Sequence, residues 1–437
     1  MKKIVIGLFA TFISLAAFAQ GSTNSPYSQY GLGAVADAAT GFNRGMNGLG
    51  IGYRSGSVVN YLNPASYSAV DSLTFLFDVG MSGQITNFEQ AGKRLNANSA
   101  GVEYVAASFR AFRGVGVSFG LMPLTTIGYN YSNSETISPA LDANVTTYTN
   151  TYSGSGGLHQ AFLGAGWEPF SGFSFGANFS YVWGNVTRSA VNSYSQNASD
   201  ASSINTLSKY YTGSVNSYKA DFGVQYQLAL GKRDNITVGL TYGLGHKLGT
   251  DPTCWIISKN AENGVADTTK YVVSNGFELP STIGAGAIYS HAGKWKVGID
   301  YQLQKWGATS FPVYSTVSNQ ATYALSDNYY KDRQKLTLGG EYCPNENGRR
   351  FYQIVRLRAG ISYATPYLTI NGEDGPKELS VSAGISLPIL NSYRRNYLNI
   401  SGQWVRQEAK GMIKENTFRL NIGLTFNERW FAKWKVE

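Results

Sequence analysis

Cysteine is nearly absent from this 437-residue chain: Cys254 and Cys343 are the only two. Two distant thiols cannot form the disulfide framework that supports small secreted folds. Charge is also sparse, at 14 % of residues, against roughly a quarter in ordinary soluble domains. Histidine is limited to His159, His246 and His291, without zinc-ligand or triad spacing. Acidic residues are too dispersed to nominate an acid/base pair. Gly116-Val117-Ser118-Phe119-Gly120 matches a nucleophile elbow, but that motif needs a strand-to-helix turn and this one sits inside strand alternation. The chain therefore reads as a non-enzyme, with no catalytic residue, metal site or cofactor. Beyond residue 19 there is no run of about 18 apolar residues, which excludes a transmembrane helix but not a membrane barrel.

Glycine and aromatics fill the space that charge leaves, with 50 Gly, 30 Tyr and 22 Phe. Met1–Ala19 reads as a cleaved signal peptide: Lys2 and Lys3, an apolar stretch, then Ala17-Phe18-Ala19 before Gln20. Removing it lowers the formal net charge from +9 to +7, by the two lysines. In an exported chain that balance suits anionic surfaces or acidic partner proteins better than nucleic acid.

Period-two alternation dominates the rest. Trp295, Val297, Ile299, Tyr301 and Leu303 share one face, against Lys296, Gly298, Asp300, Gln302 and Gln304 on the other. Residues 379–387 and 418–426 repeat the pattern. Charged groups recur on the polar face (Asp78, Lys296, Asp300, Glu341, Arg356, Arg358, Arg419), which a porin-like lumen accepts while the lipid face stays apolar. Fourteen strands are expected, near 72–83, 101–112, 115–131, 157–168, 172–189, 208–230, 235–249, 271–291, 294–307, 333–344, 350–366, 377–390, 396–409 and 415–428. Tight turns follow the even strands, and longer connections (84–100, 132–156, 190–207, 250–270, 308–332) follow most odd ones. Short periplasmic turns and long outer loops mark a bacterial outer-membrane barrel. On this order Cys254 and Cys343 fall at opposite ends, too far apart to bridge.

Fourteen strands enclose more space than their own side chains fill. The stretch Arg44–Val70 is the available filler. Gly45, Gly48, Gly50, Gly52 and Gly56 permit turns and close backbone approach, and Asn63-Pro64-Ala65 stops any regular element. The expected organisation is a leader (1–19), a plug (20–70) inside the lumen, and an all-β antiparallel barrel (71–437).

A glycine-rich segment running into Asn63-Pro64-Ala65 just before the first barrel strand resembles the FadL-type long-chain fatty acid transporters. It departs from the family pattern where acidic residues usually precede the motif, having Arg54-Ser55-Gly56-Ser57. The resemblance implies an integral outer-membrane protein for passive uptake of hydrophobic small molecules. The plug must then shift, making Arg44, Gly45, Gly48, Gly50, Asn63, Pro64 and Ala65 candidate gating residues. It also implies a lateral opening at a third-strand kink, where Pro123 removes a ladder hydrogen bond; Pro123→Ala is expected to straighten that strand. The bland readings are a plug-docking turn and a rim bulge.

The tight turns carry Arg113, Lys232, Arg233, Lys294, Arg349, Arg394 and Arg395. Solvation of turns explains them simply; the sharper reading is a basic periplasmic rim for an acidic protein. That reading belongs to the second functional expectation, a non-transporting accessory subunit of an outer-membrane protein-export or barrel-assembly complex. An outer-membrane hydrolase ranks far behind. Expected contacts are thus outer-membrane lipid, a hydrophobic ligand, or outer-membrane and periplasmic proteins.

Overall fold

The computed structural model describes residues 23–136, 145–196, 205–260, 263–317, 320–391 and 394–429. The expected leader at 1–19 and the side chains of Arg394 and Arg395 lie outside the described residues.

Fourteen antiparallel strands form the wall. They are β1 (Thr74–Gln90), β2 (Lys93–Phe112), β3 (Val115–Thr136), β4 (Val145–Phe170), β5 (Phe173–Gln196), β6 (Asn205–Ala229) and β7 (Asp234–Gly243). After them come β8 (Thr282–His291), β9 (Trp295–Gln304), β10 (Arg333–Tyr342), β11 (Arg356–Ala364), β12 (Lys377–Asn391), β13 (Arg394–Glu408) and β14 (Lys414–Arg429). Each pairs with the next, and β1 pairs with β14 from Thr74↔Arg429 to Glu89↔Lys414, closing the barrel. Closure satisfies the backbone groups that an open sheet would strand in hydrocarbon. Alternation then sorts the side chains. On β9, Val297 is 56 % exposed and Ile299 44 %, facing outward, while Asp300, next along the strand on the lumen side, is 5 % exposed.

Several strands run further than the alternation predicts. Residues 84–100 form a continuous hairpin of β1 and β2 around Ala91-Gly92, both at positive φ. Much of 132–156 and 190–207 extends β3–β6. Above the bilayer both strand faces are polar, so the hydrophobic period vanishes while the β-propensity of Thr and Tyr persists. In the 250–270 connection, Thr253–Asn260 and Ala266–Val272 make a hairpin, and Thr253–Asn260 pairs with the outer part of β6. The eighth strand starts at Thr282 rather than 271. The eleventh starts at Arg356 because a helical turn, Phe351–Ile354, precedes it. The two cysteines are free and buried, in the outer hairpin and in the periplasmic connection before β11.

Candidate functional site

The segment 23–73 enters the lumen and lies against an unusually smooth wall. Gly116, Gly166, Gly176 and Gly223 face one another in register across β3–β6. On that row rest Asn63, Pro64 and the Tyr67 carbonyl, and a β-carbon at Gly176 would sit 2.5 Å from the Pro64 carbonyl. Gly239 and Gly286 pair beneath Ile51, Gly339 and Gly360 beneath Met46, and Gly384 receives Gly45. Backbone thus meets backbone around most of the circumference.

Polar groups lock this seating. Asn63 donates through Nδ2 to the Ile51 carbonyl at 2.9 Å and accepts at Oδ1 from Ala65 N–H at 3.1 Å. Asp300 of β9 accepts from Gly50 N–H at 2.6 Å and Ile51 N–H at 2.9 Å. Gly48 holds φ +82°, a left-handed turn that other residues adopt at a cost.

The plug's cations pair with the wall. Arg44 is 4 % exposed, 3.2 Å from Glu103 of β2, and donates to Asn421 of β14 at 2.9 Å. Arg54, standing where the resembled family has acids, reaches Glu168 of β4 at 2.6 Å and Ser174 at 2.9 Å. Below them Glu341 gathers Arg358 (2.7 Å), Arg356 (3.0 Å) and Lys296 (3.3 Å). Arg356 also reaches Glu346 in the periplasmic connection at 2.7 Å. Burial opposes ionisation of Glu346, yet Lys296 and Arg356 hold its carboxyl below the usual carboxylate range.

Among the described residues, the wall ladder is interrupted between β2 and β3. β2 and β3 pair only from Phe112↔Val115 to Val105↔Leu121. Two residues on, the register of β3 against β4 slips between Pro123 and Thr125. From there β3 stays with β4 and β2 stays with β1, leaving an unpaired seam. The plug's first residues run along it. Ala34 and Val35 pair antiparallel with Thr126 and Thr125, Ala36 N–H donates to the Leu124 carbonyl at 3.1 Å, and Asn24 Nδ2 donates to the Asn98 carbonyl of β2 at 2.9 Å.

Behind the seam, above the plug, lies a cavity of about 290 Å³. Pro123, Leu124 and Val35 border it, but its walls are charged: Asp37, Glu103, Asp221, Lys335, Glu378 and Arg419. An apolar molecule there would desolvate those groups without pairing them. An aromatic lid closes the outer side. Trp306, Phe311, Tyr330 and Phe277 are buried with Tyr27 and Leu32 of the plug. The Phe311 ring lies 4.7 Å from Tyr329 and 5.7 Å from Phe277, and the Arg188 guanidinium stands 5.5 Å above it.

The plug candidates therefore occupy three places, with Gly50 held by Asp300 of β9. Arg44 and Gly45 lie against β2, β12 and β14, whereas Asn63–Ala65 lie against β4–β6. Of the basic rim, Lys232, Arg233 and Lys294 line one periplasmic groove, while Arg113 and Arg349 are exposed on other turns. Sequence reasoning placed Asp300 on the polar face but missed its hold on Gly50 and Ile51, the lid and the Arg54–Glu168 pair. The polar-face position of Asp300 marked it as lumen-facing, and nothing local announced its plug partners.

A family model described as BamG matches residues 1–437. No curated protein matches. Among solved structures, the P. putida toluene transporter TodX superposes with TM-score 0.61 at 14 % identity, covering 91 % of this chain and 100 % of that one. The Ralstonia pickettii toluene transporter TbuX gives 0.60 at 14 %, covering 90 % and 99 %. A Pseudomonas aeruginosa FadL homologue gives 0.58 at 10 %, again covering 90 % and 99 %. At these identities the likeness establishes a shared fold.

Proposed function

The chain belongs to the BamG family, and from that premise we propose that it is a non-transporting accessory subunit of an outer-membrane protein-export or barrel-assembly complex. The observation that carries this reading is the closed, charged lumen. The plug is seated by backbone contact on the wall glycines, acidic and basic side chains stand among the lining of the remaining cavity, and a packed aromatic lid covers it. Such an interior gives a hydrophobic ligand neither an apolar pocket nor an open path. What remains is a rigid barrel with free faces at both ends.

The seam at Pro123 favours a second reading, a passive channel for hydrophobic small molecules with lateral exit. The fold shared with the toluene transporters TodX and TbuX supports it at the level of architecture. Native mass spectrometry of the barrel, gently extracted from its own outer membrane, separates the two. A stoichiometric protein assembly with an empty lumen supports the accessory role; a lone barrel carrying a fatty-acid-sized adduct overturns it. A second test locks the seam. Val35 and Thr125 lie directly opposite, so cysteines placed there can be oxidised to a disulfide. The native thiols will not interfere, since burial pushes Cys254 up to about 11 and raises Cys343 as well. Unchanged uptake of a hydrophobic probe by the locked protein supports the accessory role, and abolished uptake supports the channel.

A further inference from the structure

We infer that the periplasmic mouth holds a docking groove for an acidic polypeptide segment of a partner protein. The inference rests on the accessory-subunit reading for the existence of that partner, but its location comes from the molecule itself. Between the β4–β5, β6–β7 and β8–β9 turns lies a groove of about 840 Å³, lined by Glu168, Gln227, Lys232, Arg233, Asn235 and Lys294. The turns are tied together: Ala292 N–H donates to the Arg233 carbonyl at 2.6 Å, and Gln227 N–H to the Gly172 carbonyl at 2.7 Å. The groove is thus part of the rigid barrel end rather than a space between loose loops.

Its charge is unbalanced because the local carboxylates are already engaged. Glu168 gives one oxygen to Arg54 at 2.6 Å and the other to Gly172 N–H at 2.9 Å. Asp234 accepts from Tyr289 at 2.8 Å and pairs with His291 at 2.6 Å. Lys232, Arg233 and Lys294 are exposed and, among the described residues, none has a carboxylate within ion-pair distance. Three exposed cations without a contact ion pair around one concavity form a complementary surface for several carboxylates presented together.

The direction of the groove decides between a protein and lipid headgroups. On β6, Gly223, Gln225 and Gln227 alternate onto the lumen side, while Phe222, Val224 and Tyr226 face lipid. Gln227 and Glu168 both line the groove, so it opens toward the barrel axis beneath the plug. Headgroups of the inner leaflet surround the barrel outside; a polypeptide can reach inside. Arg54, bonded to Glu168, links the groove floor to the plug.

The test uses the full-length barrel in detergent with fluorescein-labelled decaglutamate as probe and decaglutamine as control, read by anisotropy. Binding of decaglutamate alone is expected, weakening as salt shortens electrostatic reach. K232Q/R233Q/K294Q should weaken it by about tenfold or more, while K93Q/R94Q on the outer β1–β2 hairpin should not. Undiminished binding by the triple variant, or equal loss in the outer variant, overturns the groove. So does displacement of the peptide by phosphatidylglycerol vesicles, which would assign the cations to lipid. Co-extraction separates this inference from the reading it rests on. A stoichiometric partner lost from the triple variant supports the groove. A partner retained by both proteins overturns the groove and leaves the accessory role standing. With no partner on either, peptide binding that still follows the triple variant supports the groove while the accessory role falls.

Discussion

The two halves of the lumen are closed by opposite means. In the periplasmic half, plug backbone lies directly on wall glycines and Arg54 of the plug meets Glu168 of the wall, so little room is left. In the outer half a seam, a charged cavity and an aromatic lid follow one another, and plug and wall touch mainly through side chains and one two-residue strand pairing. Backbone-to-backbone packing has few alternative arrangements, because nothing can rotate out of the way. Side-chain closure can repack. The inner half is therefore a fixture, and any adjustable behaviour must reside above it.

The sharpest way to break this contrast is to put volume on the glycine row. Gly176→Val would drive a branched side chain into the Pro64 carbonyl and should cost at least about 3 kcal/mol, the upper range for overpacking. Loss of heat-modifiable mobility and a lower denaturant midpoint would show it. Gly402→Val is the control, since a β-carbon at Gly402 meets nothing within 4 Å; it should stay within about 0.5 kcal/mol. Equal damage at both positions would mean the glycines serve strand geometry rather than the plug.

Next in size come the buried charges. Glu341→Gln leaves Arg356, Arg358 and Lys296 without their shared carboxylate in the inner half, a loss of about 3–5 kcal/mol for an uncompensated buried site. Glu103→Gln, beside the cavity, should cost less, because Arg44 keeps Asn421 and the Ala39 carbonyl. Thermal midpoints of the two variants give the order directly. If Glu103→Gln proves the more damaging, the inner half is not the more rigid one.

The order of these effects follows what could be read in advance. The fourteen strands and the plug were legible, because lipid on one side and a filled lumen on the other impose strict alternation from β1 to β14. The outer strand extensions were not, since polar residues on both faces erase that signal around Ser132–Glu135 and Ala190–Ser193. The glycine row was present but illegible. Gly116, Gly166, Gly176 and Gly223 become one feature only once the register is known. Arg54 and Glu168 are 114 residues apart, and nothing local announces their pairing.

A smaller effect probes the periplasmic edge of the fixture. The folded protein holds Glu346 below its ordinary 4.5, so its contribution is present above that value and is lost as pH falls through the lower folded value. Glu346→Gln should flatten the acid limb of the stability–pH curve and leave the neutral region little changed. An unchanged acid limb in the variant would show that Arg356 relies on Glu341 alone.

The smallest effect is expected at the residue that the sequence marks most plainly. Pro123 suggests that one missing N–H makes the seam, so that Pro123→Ala would close it. The pairing argues otherwise. β2 has already left β3 at Val105↔Leu121, before the proline, and beyond it the free side of β3 is taken by Ala36 N–H and by Ala34–Val35. Restoring one donor cannot recruit β2 while the plug strand occupies that position. Pro123→Ala should therefore shift stability by no more than about 1 kcal/mol. Amide hydrogen exchange of Val102, Glu103 and Tyr104 should stay unchanged. A rise in their protection would mean that β2 had zipped onto β3, and that the outer half depends on one proline rather than on the plug segment seated in its seam.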